Sequence, residues 1–158
     1  MDSVIVVSMC LLGIRCRYDG KSVPWEGLKF IKDRFFILPV CPEQLGGLST
    51  PRSPSKIEKG DGFTVLEGKS RVLTVEEKTD VTANFVKGAQ EALKIVNLFR
   101  ENVKAVILKE KSPSCGVKTI YNFNSDSLKA GKGVAAALFI KNGYRVLSSD
   151  ELEEIEKL

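Results

Sequence analysis

The 158-residue chain contains no histidine. That absence excludes Ser-His-Asp and Cys-His hydrolases, acid–base work by imidazole, and every zinc or haem site that needs a histidine ligand. Chemistry is left to cysteine, carboxylates, serine, tyrosine, lysine or a bound cofactor. Long hydrophobic runs are missing too. The first apolar stretch, residues 4–12, is too short to span a bilayer. The Met1-Asp2-Ser3 before it lacks the basic start of a signal peptide. The expectation is a cytoplasmic protein with no membrane partner, in a compartment where structural disulfides are disfavoured. Charge of one sign is in only slight excess, with 24 Lys and Arg against 20 Asp and Glu, for a net +4. This is far from an arm built for nucleic acid and suits an anionic small ligand. Lys59, Lys109, Lys111 and Lys118 read as solvated positions.

What is present suffices for one packed core, with 43% hydrophobic residues and no repeat, low-complexity tract or linker. Residues 3–9 are β-branched and nearly all apolar, the pattern of a strand buried on both faces of a parallel sheet. Residues 35–40 and 104–108 repeat it, and residues 144–147 are a shorter case. Between these lie helical signals. Ser22 caps a helix with Pro24 in its first turn, running to about residue 33. Val81, Phe85, Ala89, Ala92, Val96 and Phe99 make one apolar face of a long helix starting near Thr79 or Asp80. Residues 134–140 form another helix, stopping at Asn142-Gly143. Ser148 and Glu151 form a capping box for a last helix over 149–157. Residues 56–75, with Gly60, Asp61-Gly62 and Gly68, read as one or two β-hairpins at an edge of the sheet. The fold class is therefore α/β, a mainly parallel, Rossmann-like sheet with helices on both faces plus a β-hairpin excursion.

The cysteines are the most informative feature. Cys10 follows the first strand, Cys41 follows the second, and Cys115 comes a few residues after the third. Carboxyl ends of parallel strands share one edge, where ligand sites of open sheets form, so these three cysteines converge there. Their loops, Cys41-Pro42-Glu43 through Gly46-Gly47 and Ser112-Pro113-Ser114-Cys115-Gly116, are unlike core. Cys16 has the weakest case and reads as an inert buried thiol. No C-x-x-C is present, so neither a zinc ribbon nor a thioredoxin motif is formed. Four thiolates would suit a structural zinc site, although such sites usually come as two local pairs. They equally suit an iron–sulfur cluster. A cluster on three thiolates leaves one iron without a protein ligand, as a Lewis-acid site requires. Gly131-Lys132-Gly133 lacks the P-loop frame. Arg17-Tyr18-Asp19-Gly20 reads as a turn whose side chains are candidate substrate contacts. Arg52 lies in an extended loop where it could meet an anion, and Trp25 reads as core.

Three signatures now carry a resemblance. They are Ser8-Met9-Cys10-Leu11-Leu12-Gly13 through Cys16-Arg17-Tyr18-Asp19-Gly20; Pro39-Val40-Cys41-Pro42-Glu43 with Gly46-Gly47-Leu48 and Thr50-Pro51-Arg52; and Leu108-Lys109-Glu110-Lys111-Ser112-Pro113-Ser114-Cys115-Gly116. With Asp80-Val81-Thr82 and residues 133–138, they resemble the thiouracil desulfidase family. The resemblance runs in order over residues 3–147, so residues 1–158 read as a single such domain. It implies a [4Fe-4S] cluster on Cys10, Cys41 and Cys115, whose fourth iron takes the substrate's sulfur. It also implies iron–sulfur assembly machinery as a partner, a catalytic Glu43, and a catalytic serine, Ser112. The implied substrates are thiouracil or 4-thiouridine monophosphate. Arg17, Tyr18, Asp19, Arg52 and Ser114 are the candidate substrate contacts. A related fusion acts on tRNA through an extra domain that this sequence does not show, which argues against nucleic acid. One departure stands out. After Ile120-Tyr121 the family continues Asp-Gly-Thr-Phe, whereas here the chain reads Asn122-Phe123-Asn124-Ser125.

The residues suit that chemistry. Binding the sulfur of a C=S group to a soft, open iron polarises it. Glu43 then serves as general base on water, sulfide is released, and the pyrimidine leaves with C=O. Two rivals use the same thiols. A non-catalytic cluster or zinc sensor needs four ligands including Cys16, and needs neither Glu43 nor Ser112. A persulfide-carrying sulfurtransferase needs one low-pKa cysteine, Cys115 being the candidate, and no metal.

Overall fold

In the computed structural model, which describes residues 2–158, strand and helix alternate along most of the chain. The order is β1 (Val4–Ser8), a 3₁₀ turn (Met9–Leu12), α1 (Leu28–Ile31), β2 (Phe36–Val40), α2 (Pro42–Leu45), β3 (Ser55–Ile57), α3 (Gly62–Leu66) and β4 (Val72–Thr74). It continues with α4 (Thr82–Asn97), β5 (Val103–Leu108), β6 (Thr119–Tyr121), β7 (Leu128–Ala130), α5 (Val134–Lys141), β8 (Val146–Ser148) and α6 (Leu152–Glu156). Four strands form a parallel sheet in the order β2-β1-β5-β8.

The β-branched run of β1 explains its central place. Val6, Val106 and Leu108 face one core, with Phe85, Ala89, Ala92 and Val96 of α4 and Ala135, Ala136 and Phe139 of α5. Ile5, Val7, Ala105 and Ile107 face the other, with Ile31 of α1 and Ile155 of α6. Each Val, Leu, Ile or Phe among them contributes about 1.5–3 kcal/mol on burial, so the middle of the sheet is the best-anchored part of the fold. β2 differs from the expectation of a strand buried on both faces. It is an edge strand, with Phe36 57% exposed. Pro39 accounts for this, because it has no N–H for a further strand.

The helix expected over residues 22–33 shrinks to α1. Val23 N donates to the Cys10 carbonyl and Trp25 Nε1 to the Ser149 carbonyl at 2.9 Å. Those long-range bonds hold residues before Gly27 out of a helix. The excursion at 56–75 is likewise not an edge of the main sheet. β3 and β4 pair antiparallel as a separate sheet that encloses α3. Asp61-Gly62, which reads as a turn, is a helix start: Asp61 Oδ1 accepts from Phe63 N, and Thr64 Oγ1 accepts from Asp61 N. A second antiparallel pair, β6 with β7, comes from a segment whose sequence carried no strand signal strong enough to read. α5 matches the helix expected over 134–140, and α4 buries Phe85, Ala89, Ala92 and Val96 of its predicted face, but it runs only from Thr82 to Asn97, leaving Phe99 beyond its end. At the last helix, Glu151 Oε2 accepts from Ser148 N at 2.7 Å, but the helix begins only at Leu152. Among the described residues no helix is long and apolar enough to cross a membrane.

Two close backbone approaches fix the loops at the sheet's carboxyl edge. A Cβ on Gly88 of α4 would lie 1.8 Å from the Pro42 carbonyl oxygen, so only glycine lets α2 press onto α4. A Cβ on Gly133, just before α5, would lie 2.4 Å from the Ser114 carbonyl carbon. There the first amides of α5 donate to the 113–114 segment: Val134 N to Pro113 O, and Ala135 N to Ser114 O, both at 2.8 Å. Helix-start amides that lack intrahelical partners thus cap the cysteine loop.

Candidate active site

β1, β2 and β5 are adjacent and parallel, so the residues that follow them meet. Cys10 lies in the 3₁₀ turn after β1, Cys41 directly precedes α2, and Cys115 lies in the loop after β5. All three line one cavity of about 460 Å³. Cys16 joins them rather than standing apart. It is buried on the same wall, close enough to Cys10 and Cys41 for their thiols to act on its acidity. The Cys41 thiol also donates to the Cys16 carbonyl at 3.9 Å.

Crowding shows in the acidities. The Cys16 thiol is pushed up to about 11, first by its bond with Cys10 and then by burial, against a lowering by Cys41. The bond with Cys16 and then burial push Cys41 far above the ordinary thiol range. Burial takes Cys115 up to about 12. That direction runs against the low-pKa Cys115 that a persulfide carrier requires. A compensating positive charge shared among such thiols would make them thiolates. Among the described residues no group of three or more His, Cys, Asp or Glu is arranged to hold a single metal ion. A Cys₄ zinc site needs that convergence, whereas an iron–sulfur cluster takes each thiolate on a separate iron. The donor set fits such a cluster.

Glu43 stands on the same wall, in the first turn of α2. Its Oε1 pairs with Arg52 Nε at 3.0 Å, and its Oε2 accepts from Ser114 Oγ at 2.9 Å and Ser112 Oγ at 3.5 Å. The two hydroxyls are 3.0 Å apart. Ser112 Oγ also accepts from the amides of Ser114 and Cys115, at 3.1 and 3.0 Å. Ser112 thus shapes the turn, while Ser114, 3.6 Å from Cys115 Sγ, makes the shorter bond to Glu43.

The candidate substrate contacts divide. Arg17 and Tyr18 line the cavity, with Arg17 stacked over the Tyr18 ring at 5.5 Å. Asp19 does not reach the cavity. It accepts from Lys21 N at 3.0 Å and pairs with Arg17 at 3.7 Å, holding the turn. Arg52 is committed within the protein. Besides Glu43 it donates to Ser49 O, Thr50 Oγ1 and Cys16 O, and its side chain is 8% exposed. Lys109 is not a solvated position but part of the cavity wall. Burial, then Arg17, lowers its pKa below the ordinary lysine value, and its Nζ donates to the Glu110 carbonyl at 2.7 Å. Its place just after β5 was the signal that could have found it. Lys56, Tyr121 and Asp126 also line the cavity, and no sequence feature pointed to them. Lys56 Nζ donates to Ser125 O at 2.7 Å, so the departing 122–125 segment is tied to the rim.

An open α/β sheet with a cavity at its strand ends, walled here by thiols, is the class of architecture that binds small ligands at that edge. The sequence profile described as 2-thiouracil desulfurase matches residues 5–151. The chain belongs to that family. It is 44% identical over 153 residues to the Uncharacterized protein YbbK of Bacillus subtilis (strain 168), covering 96% of this chain and 99% of that one. It is similar in structure to the [4Fe-4S]-dependent thiouracil desulfidase TudS, with a TM-score of 0.81 and 38% identity over 98% of this chain and 95% of that one.

Proposed function

We propose that this chain converts the C=S of a thiolated pyrimidine to C=O with release of sulfide, and that Cys10, Cys41 and Cys115 hold the [4Fe-4S] cluster it uses. The supporting observation is one wall carrying both the three thiols and a carboxylate oriented by Arg52 and Ser114. The bound cluster, with one iron lacking a protein ligand, supplies a soft Lewis acid for the substrate's sulfur. Glu43 takes a proton from the water that attacks the thiocarbonyl carbon. The C–S bond then breaks, and the proton on Glu43 passes through Ser114 and Ser112 to the departing sulfur. The hydroxyl left on the carbon gives its own proton to solvent as the carbonyl forms, so thiocarbonyl and water become carbonyl, hydrosulfide and a proton, with no change of oxidation state. Arg52 holds Glu43 at one oxygen and leaves the other to the serines. Tyr18 stacks beside the ring. Because four of the five N–H donors of Arg52 already serve the protein, a nucleotide's phosphate falls to Arg17. Delivery of the cluster calls for iron–sulfur assembly machinery.

The test is anaerobic reconstitution, with iron and sulfide counted and sulfide release followed from 2-thiouracil, 4-thiouracil and 4-thiouridine monophosphate. About four irons and turnover of at least one substrate are expected. An iron-loaded protein that turns over none of them refutes the enzyme reading in favour of a sensor.

A further inference from the structure

Glu110 has no part in the chemistry above, yet it is a nearly wholly buried carboxylate, 5% exposed, at the end of β5. Its Oε1 accepts from the amides of Val117, Lys118 and Thr119, each at 2.9 Å. The Thr119 hydroxyl, at 3.5 Å, and Lys111 N, at 3.4 Å, add weaker bonds to the same oxygen. Oε2 is buried with no partner. Three successive amides converging on one oxygen make an anion nest, here filled by the chain's own side chain. Burial works against the charge, but the neighbouring Ser148 hydroxyl and these amides hold the carboxyl below the ordinary glutamate range. Glu110 lines the cavity, and its Oε1 is committed to the chain by these amides.

The nest has a position as well as a chemistry. Glu110 stands where the chain leaves β5, and residues 117–119 are where it returns. Between those points lies the loop that carries Ser112, Ser114 and Cys115. Glu110 is itself fixed from outside the loop, its N–H donating to Ser149 Oγ at 3.3 Å. We propose that Glu110 is a positioning residue, a clasp whose carboxylate closes the 111–116 loop and so sets Cys115 and the serines against Glu43. This rests on the reading of Cys115 as a cluster ligand.

Three variants test it, in the apo and the reconstituted protein. Glu110→Ala leaves three buried amides without an acceptor. Glu110→Gln keeps an oxygen at the same reach. Glu110→Asp keeps the charge but draws the clasp back by one methylene. In apo Glu110→Ala the amides of 117–119 should exchange with solvent about tenfold faster or more, while those of β1 stay as protected as in the parent. The reconstituted variant should lose iron to a chelator correspondingly faster, and kcat should fall more than KM rises. Glu110→Gln should restore both amide protection and iron retention. Glu110→Asp should fold and yet release iron fast, which carries the test if Glu110→Ala does not fold. Unchanged exchange at 117–119 with unchanged iron retention in Glu110→Ala, or in Glu110→Asp if only that folds, overturns the proposal. So does equal loss of protection in β1 and at 117–119, which is a general stability effect. The exchange and iron measurements need no turnover, so they decide for or against the clasp even if the desulfidase reading fails.

Discussion

The inner wall of the cavity and its rim are built in opposite ways. Cys10, Cys16, Cys41, Cys115 and Ser114 on the inner wall are buried, and backbone contacts fix the segments that carry them. On the rim, Tyr18 is 41% and Tyr121 36% exposed, and Asp126 reaches Lys56 in a 3.7 Å ion pair with its own side chain fully exposed. A wall with no room for adjustment suits bond-making, where misplacement by an ångström is costly. A rim of long, solvated side chains suits choice among related substrates and tolerates change. The departing 122–125 segment, which lies at the rim, fits that division.

Breaking the inner wall gives the largest effects. Cys10→Ser, Cys41→Ser or Cys115→Ser should each reduce bound iron from about four per chain to nearly none after reconstitution, since a hydroxyl is a poor ligand for iron. Cys16→Ser should keep the cluster, and iron counting on all four variants separates ligand from neighbour. Next comes Glu43→Gln, with a normal cluster and kcat lower by about a hundredfold or more. Arg52→Ala should follow it in kcat, not in the KM for a phosphorylated substrate. Gly88→Ala tests the rigid backing from behind. Its new methyl should destabilise the protein by about 1–3 kcal/mol and weaken iron retention from the Cys41 side, measured by thermal unfolding and chelator challenge. The smallest effect belongs to the rim. Arg17→Ala should raise KM for 4-thiouridine monophosphate by about tenfold or less and leave free thiouracil unchanged. Equal shifts for both substrates would erase the distinction between wall and rim.

The sequence announced the middle of the molecule better than its edges. The runs at 4–8 and 105–108 are buried on both faces, so composition alone identifies them, and with them the meeting of Cys10, Cys41 and Cys115 at one cavity. Pro39 was the sign that β2 is an edge strand, outweighed by the apolar residues around it. The helix expected from Ser22 failed because Trp25 bonds to Ser149, a partner that local propensity cannot see. The surroundings of Arg52 and Cys16 were out of sight for the same reason. The partners that define them, Glu43 for one and the thiols of Cys10 and Cys41 for the other, are brought in by the fold. Lys109 was legible and overlooked, since it directly follows a strand whose end lies on the cavity.

The edge position of β2 puts Cys41 in an unusual mechanical situation. Its strand is paired on one side only, with Phe36 and Pro39 turned to solvent. Support for the sulfur therefore comes from downstream, through α2 packed on α4 and through the Arg52 clamp on Glu43. Cys41 is in effect the tip of a cantilever whose footing is Gly88. A disturbance anywhere along α4 has a direct route to that sulfur that bypasses the central sheet. Of the three proposed ligands, this one should let go first when the protein is heated or exposed to oxygen.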